Sequence, residues 1–348
     1  MIKKYLDDLE SRIDAQVEDD LYAQWRDFVD GRCQAGIFSP RRSRAVPPRV
    51  EWPVVSVNRA FDDFDAMILH QFGECSRVLA EGSGDLMCVR ANYGTSILAS
   101  LFGAELFMMD EELNTLPTSR PLPGGVAAMQ KLVERGVPDV DNALGARTLE
   151  MGRRFVAAMA DYPKISKYVH VYHPDLQGPM DICEVLWGSA IFLDIVDMPG
   201  LVKSLLAVIT EAYTRLMREW DAVVKPEGPC AVHWGMLHKG HIMLRDDSAM
   251  NLSPAMFDEF IKPFDQRLMD TFGGGAVHFC GRGDHFIESL ATTRGLTAVQ
   301  MSQTELNNME TVYRSTVDRG LKLLGLPRDA AEAALASGRP LHGNVHCP

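Results

Sequence analysis

From residue 85 onward the chain repeats one pattern: a short apolar run, a polar end, then a helical stretch of roughly 12 to 25 residues. The apolar runs are DLMCVRA (85–91), ISKYVHVY (165–172), CAVHWGM (230–236), AVHFC (276–280), LTAVQMS (296–302) and LHGNVH (341–346). The intervening helices are expected over 145–162, from 199 past 220, from Ser253 with Pro254 at its first position, near Gly283, near Thr304, and over 329–338. Strands spaced this far apart pair in parallel through right-handed crossovers. No G-x-G-x-x-G stands at a first strand-to-helix turn and no G-x-x-x-x-G-K-[ST] occurs, so a doubly wound nucleotide fold is the weaker α/β choice and the long β/α alternation fits a (β/α)8 TIM barrel. Ahead of it, residues 2–30 read as one amphipathic helix, 36–53 as an extended Pro/Arg-rich connection, and 60–79 as a second helix. Residues 1–80 are therefore expected to form a helical extension packed on a barrel of residues 81–348.

Thirty-five basic against 47 acidic side chains leave a net charge of −12, which repels nucleic acid and anionic membrane. No apolar run approaches the roughly 18 residues needed to span a bilayer, and the charged N-terminus lacks the apolar stretch of a signal peptide. Seven irregularly spaced cysteines suit a reducing compartment, so a cytoplasmic location is expected.

Barrel enzymes carry their chemistry at the C-terminal ends of strands. In GGGAVHFCGRGDHF (273–286), His278 and Cys280 are two apart, so both project to one face while Phe279 turns away. An imidazole and a thiolate placed this way can converge on one ion. Cys347, after the last apolar run, is the expected third ligand, two strands over if only 296–302 lies between. The bland alternative is a packed histidine beside a buried thiol, with a frayed C-terminal cysteine.

RDDSAMNLSPAMFDEFIKPF (245–264), AVHFCG (276–281), GNVHCP (343–348) and GPMDICEVLWG (178–188) together resemble, in order and spacing, the uroporphyrinogen decarboxylase superfamily. That resemblance, over about residues 85–348, implies a (β/α)8 barrel and a homodimer. The true decarboxylase's arginine-rich R-Q-A-G-R-Y is matched only faintly by RCQAGIFSPRR (32–42), its essential Asp falls near Asn92, and its site Tyr falls near Val185. The pattern is closer to the branch of zinc-dependent methyltransferases that serve corrinoid proteins and thiols, where H-x-C and a distant Cys hold the metal. Resemblance thus implies zinc on His278 and Cys280, with Cys347 as a substitute for, not an aligned match to, the branch's distant Cys, which lies beyond the G-N-x-D-P segment; it also implies a corrinoid (cobalamin) methyl carrier on a partner protein. One neutral imidazole and two thiolates cancel the charge of Zn²⁺, a set suited to holding an incoming thiol as a thiolate.

Other strand-end residues complete the expected site. Asp247 in RDDS, as a general base or an extra metal ligand, and His233 in the 230–236 strand are candidate catalytic groups; Arg90, Tyr93, His173 and Gln177 are candidates for binding a small-molecule substrate. His238 and His241 are expected in a loop, and Asp284 as a helix cap. The leading expectation is zinc-dependent methyl or related group transfer. The alternatives are a metal-free decarboxylase or lyase acting on an anionic or tetrapyrrole substrate, and a non-catalytic corrinoid-binding partner.

Overall fold

A computed structural model describes residues 2–34 and 36–348. Its strands are β1 (Ile37–Phe38), β2 (Cys88–Val89), β3 (Leu106–Phe107), β4 (Thr118–Ser119), β5 (His170–Val171), β6 (Cys230–His233), β7 (Met236–Lys239), β8 (Ile242–Arg245), β9 (Gly275–Phe279), β10 (Leu296–Met301), β11 (Lys322–Leu324) and β12 (Val345–His346). Six of them form one parallel sheet in the order β1-β12-β11-β10-β9-β8. A separate parallel pair, β2-β5, approaches the β8 edge, where Gly178 N donates to Arg245 O (2.8 Å) and Met243 N to His173 Nε2 (3.0 Å). The chain is thus α/β with parallel pairing as expected, but among the described residues the ladder does not run round a closed ring.

Several elements differ from the sequence expectation, each for a local reason. Residues 2–30 form two helices, Lys3–Arg12 and Ala15–Val29, because Asp14 turns extended and its carboxylate caps the N–H groups of Gln16 and Val17. Residues 165–168 end the helix Pro163–Tyr168, leaving only β5 as strand. The stretch 230–236 does not join the parallel sheet. It starts the antiparallel hairpin β6/β7, which reverses at Trp234 (φ +49°) and Gly235 (φ +78°), the paired positive φ of a type I′ turn. The sheet strand is β8, immediately after it, and β1 and β11 were not foreseen. Ser253 caps its helix through the N–H of Met256, with Pro254 at N1, as the sequence indicated.

The core is two bodies on opposite faces of the sheet. Val277, Phe279, Val299 and Leu323 face outward into the large body beneath the helices. Met243, Ala276, Ala298 and Leu324 face inward, against Leu21, Trp25 and Phe28 of the Ala15–Val29 helix and Val232, Met236 and Leu237 of the hairpin. That helix is anchored by Arg42, whose Nε and Nη2 grip both oxygens of Glu18 (2.7 Å each) while Nη1 reaches Ser83 O and Asp85 O. Both partners are buried, and removing one would cost about 3–5 kcal/mol. Arg42, in the segment resembling a substrate-binding arginine motif, is therefore spent on the fold. No described helix is long and apolar enough to cross a membrane.

His346 lies on the inner face among Trp25, Phe28 and Phe38, accepting the Gly325 N–H at Nδ1 (3.1 Å). Burial pushes its pKa down from 6.5 to about 3. Between those values the unfolded chain takes up a proton that the folded chain refuses, so stability falls as pH drops below about 6.5. Replacing His346 with Gln, which keeps an acceptor, should flatten the stability–pH slope between about pH 4 and 6 by roughly 1.4 kcal/mol per pH unit in denaturant titrations.

Candidate metal centre

Parallel register aligns three inward side chains in one row: Arg245 opposite His278, and His278 opposite Gln300. Gln300 Oε1 meets His278 Nδ1; an amide oxygen only accepts, so the proton sits on Nδ1 and Nε2 presents a bare lone pair. Two residues further along each chain, Asp247, Cys280 and Ser302 form the next row. The Asp247 Oδ1 accepts the Cys280 N–H (2.7 Å), and Cys280 Sγ lies 3.4 Å from Ser302 Oγ. The His278 Nε2 is 3.3 Å from Cys280 Sγ and 3.6 Å from Asp247 Oδ1. Asp247, His278 and Cys280 thus offer nitrogen, sulfur and oxygen, all within 4.8 Å of one another. Tetrahedral zinc with bonds of about 2.0–2.3 Å places its ligand atoms roughly 3.3–3.6 Å apart, so this donor set fits the ion. Burial depresses the His278 pKa against the opposing pull of Asp247. Burial likewise raises the Cys280 thiol, and the Asp247 carboxylate adds to the rise while Ser302 opposes it. A cation among them would reverse the thiol's reluctance to ionise.

Asp247 is held from behind by a carboxyl the sequence reading passed over. Asp181, in the first turn of the helix Pro179–Trp187, accepts the backbone N–H groups of Asp247 (3.0 Å) and Ser248 (2.8 Å). Burial, then Asp246 and Asp247, hold its pKa well above the carboxylate range. Asp246 and Asp265 are buried as a second pair; burial and its partner push Asp246 up, and Asp265 rises to about 7. Asp181 was detectable as an acid one turn past a Gly-Pro helix start; Asp265 carried no such signal.

The remaining predicted residues fall into other groups. Arg90 and Arg245 share one carboxylate, Asp175, and the Arg245 guanidinium lies 4.7 Å over the Trp234 ring, which stands T-shaped to the His278 ring with centroids 5.2 Å apart. His173 is buried with both nitrogens used, Nδ1 toward Pro174 O (2.7 Å) and Nε2 accepting the Met243 N–H. His233 sits in the hairpin, its Nδ1 2.8 Å from Nε2 of His238, which is buried there and not in a loop. Burial pushes His173 and His233 well below the ordinary histidine value and His238 down to about 4, so all three are neutral. Tyr93 is fully buried in the large core with Phe61 across its ring, and Gln177 is buried just before Gly178. Asp284 is not a helix cap; its Oδ2 accepts the Asn308 N–H (2.9 Å).

Cys347 does not join the group. Both β10 and β11 lie between β9 and β12, one strand more than expected. His346 faces inward, so Cys347, the next residue, turns outward and is fully buried in the large core, where burial pushes its thiol up to about 11. Asp247 occupies the third position instead.

A Cβ on Gly178 would lie 2.3 Å from Asp246 Oδ1 and 2.8 Å from Arg245 O. Gly178→Ala must therefore displace the strand end carrying Asp247, and should lower stability by about 1–3 kcal/mol in chemical denaturation.

No family model matches the chain, and no curated protein matches its sequence. Among solved structures, a methyltransferase from Methanosarcina mazei superposes with a TM-score of 0.63, covering 94% of this chain and 92% of that one at 15% identity. At that identity the likeness is one of fold.

Proposed function

We propose that this chain is a methyltransferase that works on a thiol held at a zinc ion bound by His278, Cys280 and Asp247. The observation that carries it is the convergence of three unlike donors from two adjacent strand ends, with His278 fixed in the ligating tautomer by Gln300. Replacing the expected second thiolate by a carboxylate keeps the charge balance: Cys280 as thiolate and Asp247 as carboxylate together offset a divalent cation. Zinc there would supply the positive charge that keeps a substrate thiol ionised at neutral pH. The residues around it have separable tasks. Gln300 orients the imidazole, Asp181 fixes the backbone of Asp247, and Ser302 stands beside the Cys280 sulfur. Fold similarity to a methyltransferase supports the reaction class. The corrinoid carrier, the homodimer, the closed barrel and the cytoplasmic location belong to the same proposal and rest on the sequence reading.

Protein purified without chelator should carry about one zinc per chain, and Cys280→Ser or His278→Gln should lose most of it. Gln300→Leu should retain the fold but weaken zinc binding roughly 10- to 100-fold, because the imidazole loses the partner that sets its tautomer. Zinc content that stays below about a quarter equivalent even after reconstitution would leave the metal-free lyase as the surviving reading. Methyl transfer itself is checked by loss of the methylcobalamin absorbance on adding a simple thiol such as 2-mercaptoethanol; it should occur with zinc-loaded protein and fail in Cys280→Ser.

A further inference from the structure

The two-stranded hairpin β3/β4 stands apart from the parallel sheet and carries the loop 108–117, which turns through the short 3₁₀ segment Glu111–Leu113. The loop is fixed in place. Asn114 Oδ1 accepts the Val57 N–H (2.7 Å), and Asn58 Nδ2 donates to Met109 O (3.1 Å). It holds Asp110, Glu111 and Glu112 in open solvent beside two exposed apolar side chains, Met108 and Leu113, the latter 59% accessible. Phe107 at its base is also exposed, with the Arg120 guanidinium 4.7 Å over its ring.

Beside the base of this hairpin lies a half-open groove of opposite character. It holds about 440 Å³ between Phe102–Gly103, Leu122–Gly124 and the helix Gly125–Arg135. Phe102, Leu122 and Leu132 give it an apolar lining, and Lys131 and Arg135, one turn apart on the helix, line it too. Both cations are exposed. Among the described residues no ion pair involves Asp110, Glu111, Glu112, Lys131 or Arg135. Glu134, on the same helix, lies outside the groove lining and pairs with neither cation.

We infer that this face binds a second copy of the chain, the acidic 110–113 tip of each copy seated in the basic, apolar groove of the other. A two-fold contact needs both halves of a complementary pair on one surface, where a foreign partner would need only one. Here both halves are present and contiguous: Ala104 and Glu105 join the groove to β3, and Arg120 and Pro121 join β4 back to it. The tip does not serve its own groove, which lies at the hairpin's base while the tip is tied to Val57 and Asn58. In the pair, the three carboxylates face Lys131 and Arg135, and Met108 and Leu113 leave water against the groove's apolar lining. Two chains of net charge −12 repel at a distance, so the local match of charge must fix how they meet. This assigns a face to the homodimer proposed above and needs neither zinc nor methyl transfer.

The test is sedimentation velocity of the full chain from about 1 to 100 µM. The unaltered chain should run at twice its 38.7 kDa mass, with a dissociation constant on the order of 10 µM or tighter. A tip variant, Glu111→Lys with Glu112→Lys, and a groove variant, Lys131→Glu with Arg135→Glu, should each dimerise at least about 100-fold more weakly, since like charges then face each other. Mixing the two variants should restore the dimer: the basic tip of one meets the acidic groove of the other, and the acidic tip meets the basic groove. Recovery on mixing also shows that both variants are folded. A monomer throughout, a dimer that either variant leaves intact, or variants that stay monomeric when mixed would overturn the inference. Zinc measured on the same samples should match the unaltered chain, so failure of the metal reading and failure of this one are told apart.

Discussion

The site hangs on the register of three parallel strands. Because β8, β9 and β10 pair with Arg245, His278 and Gln300 abreast, the next inward positions, Asp247, Cys280 and Ser302, also fall abreast. A slip of one residue would exchange every inward side chain for an outward one and aim Phe279 at the pocket in place of His278. The register is secured by burial on both faces. Val277 and Phe279 are locked into the helical layer, while Ala276 and Ala298 are small enough for the hairpin and the Ala15–Val29 helix to pack beneath the functional row.

Charge is distributed so that few groups at the centre remain ionised without a partner. Asp181, Asp246 and Asp265 are buried and pushed up, toward their neutral forms, while His173, His233 and His238 are buried and pushed down, toward theirs. This leaves the partly exposed Asp247 as the carboxylate facing Cys280 and His278, and the two arginines on Asp175 as the positive counterpart. Desolvation thus selects which members of a crowded set of titratable groups can meet a cation or an anion.

The likeness to a solved methyltransferase is one of fold, and the fold explains how such an edge is built. A parallel sheet delivers polar residues to one edge by the alternation of each strand, and that edge can be refitted by single changes. Here a carboxylate stands where the sequence suggested a thiolate. In the proposed zinc set the donor charge would be kept although the donor atom differs.

The paired projection of His278 and Cys280 was legible from the sequence because strand alternation is a local rule, and the helix starting at Ser253–Pro254 was legible because capping is local too. The parallel α/β class followed from the spacing of the apolar runs. Asp247 was legible as a strand-end acid able to act as base or metal ligand, but that it and not Cys347 meets His278 and Cys280 was not, since this depended on how many strands separate two chain segments, and the three-residue β11 is too short to announce itself. Nor was the hairpin: His-Trp-Gly-Met lacks the usual turn signal, and it displaced the true strand, β8, by several residues. Sequence alone thus determined which residues share a face, because a strand's period is set by its own backbone. Tertiary structure decided which faces meet and which charges survive, because sheet order and desolvation are properties of the whole packed chain.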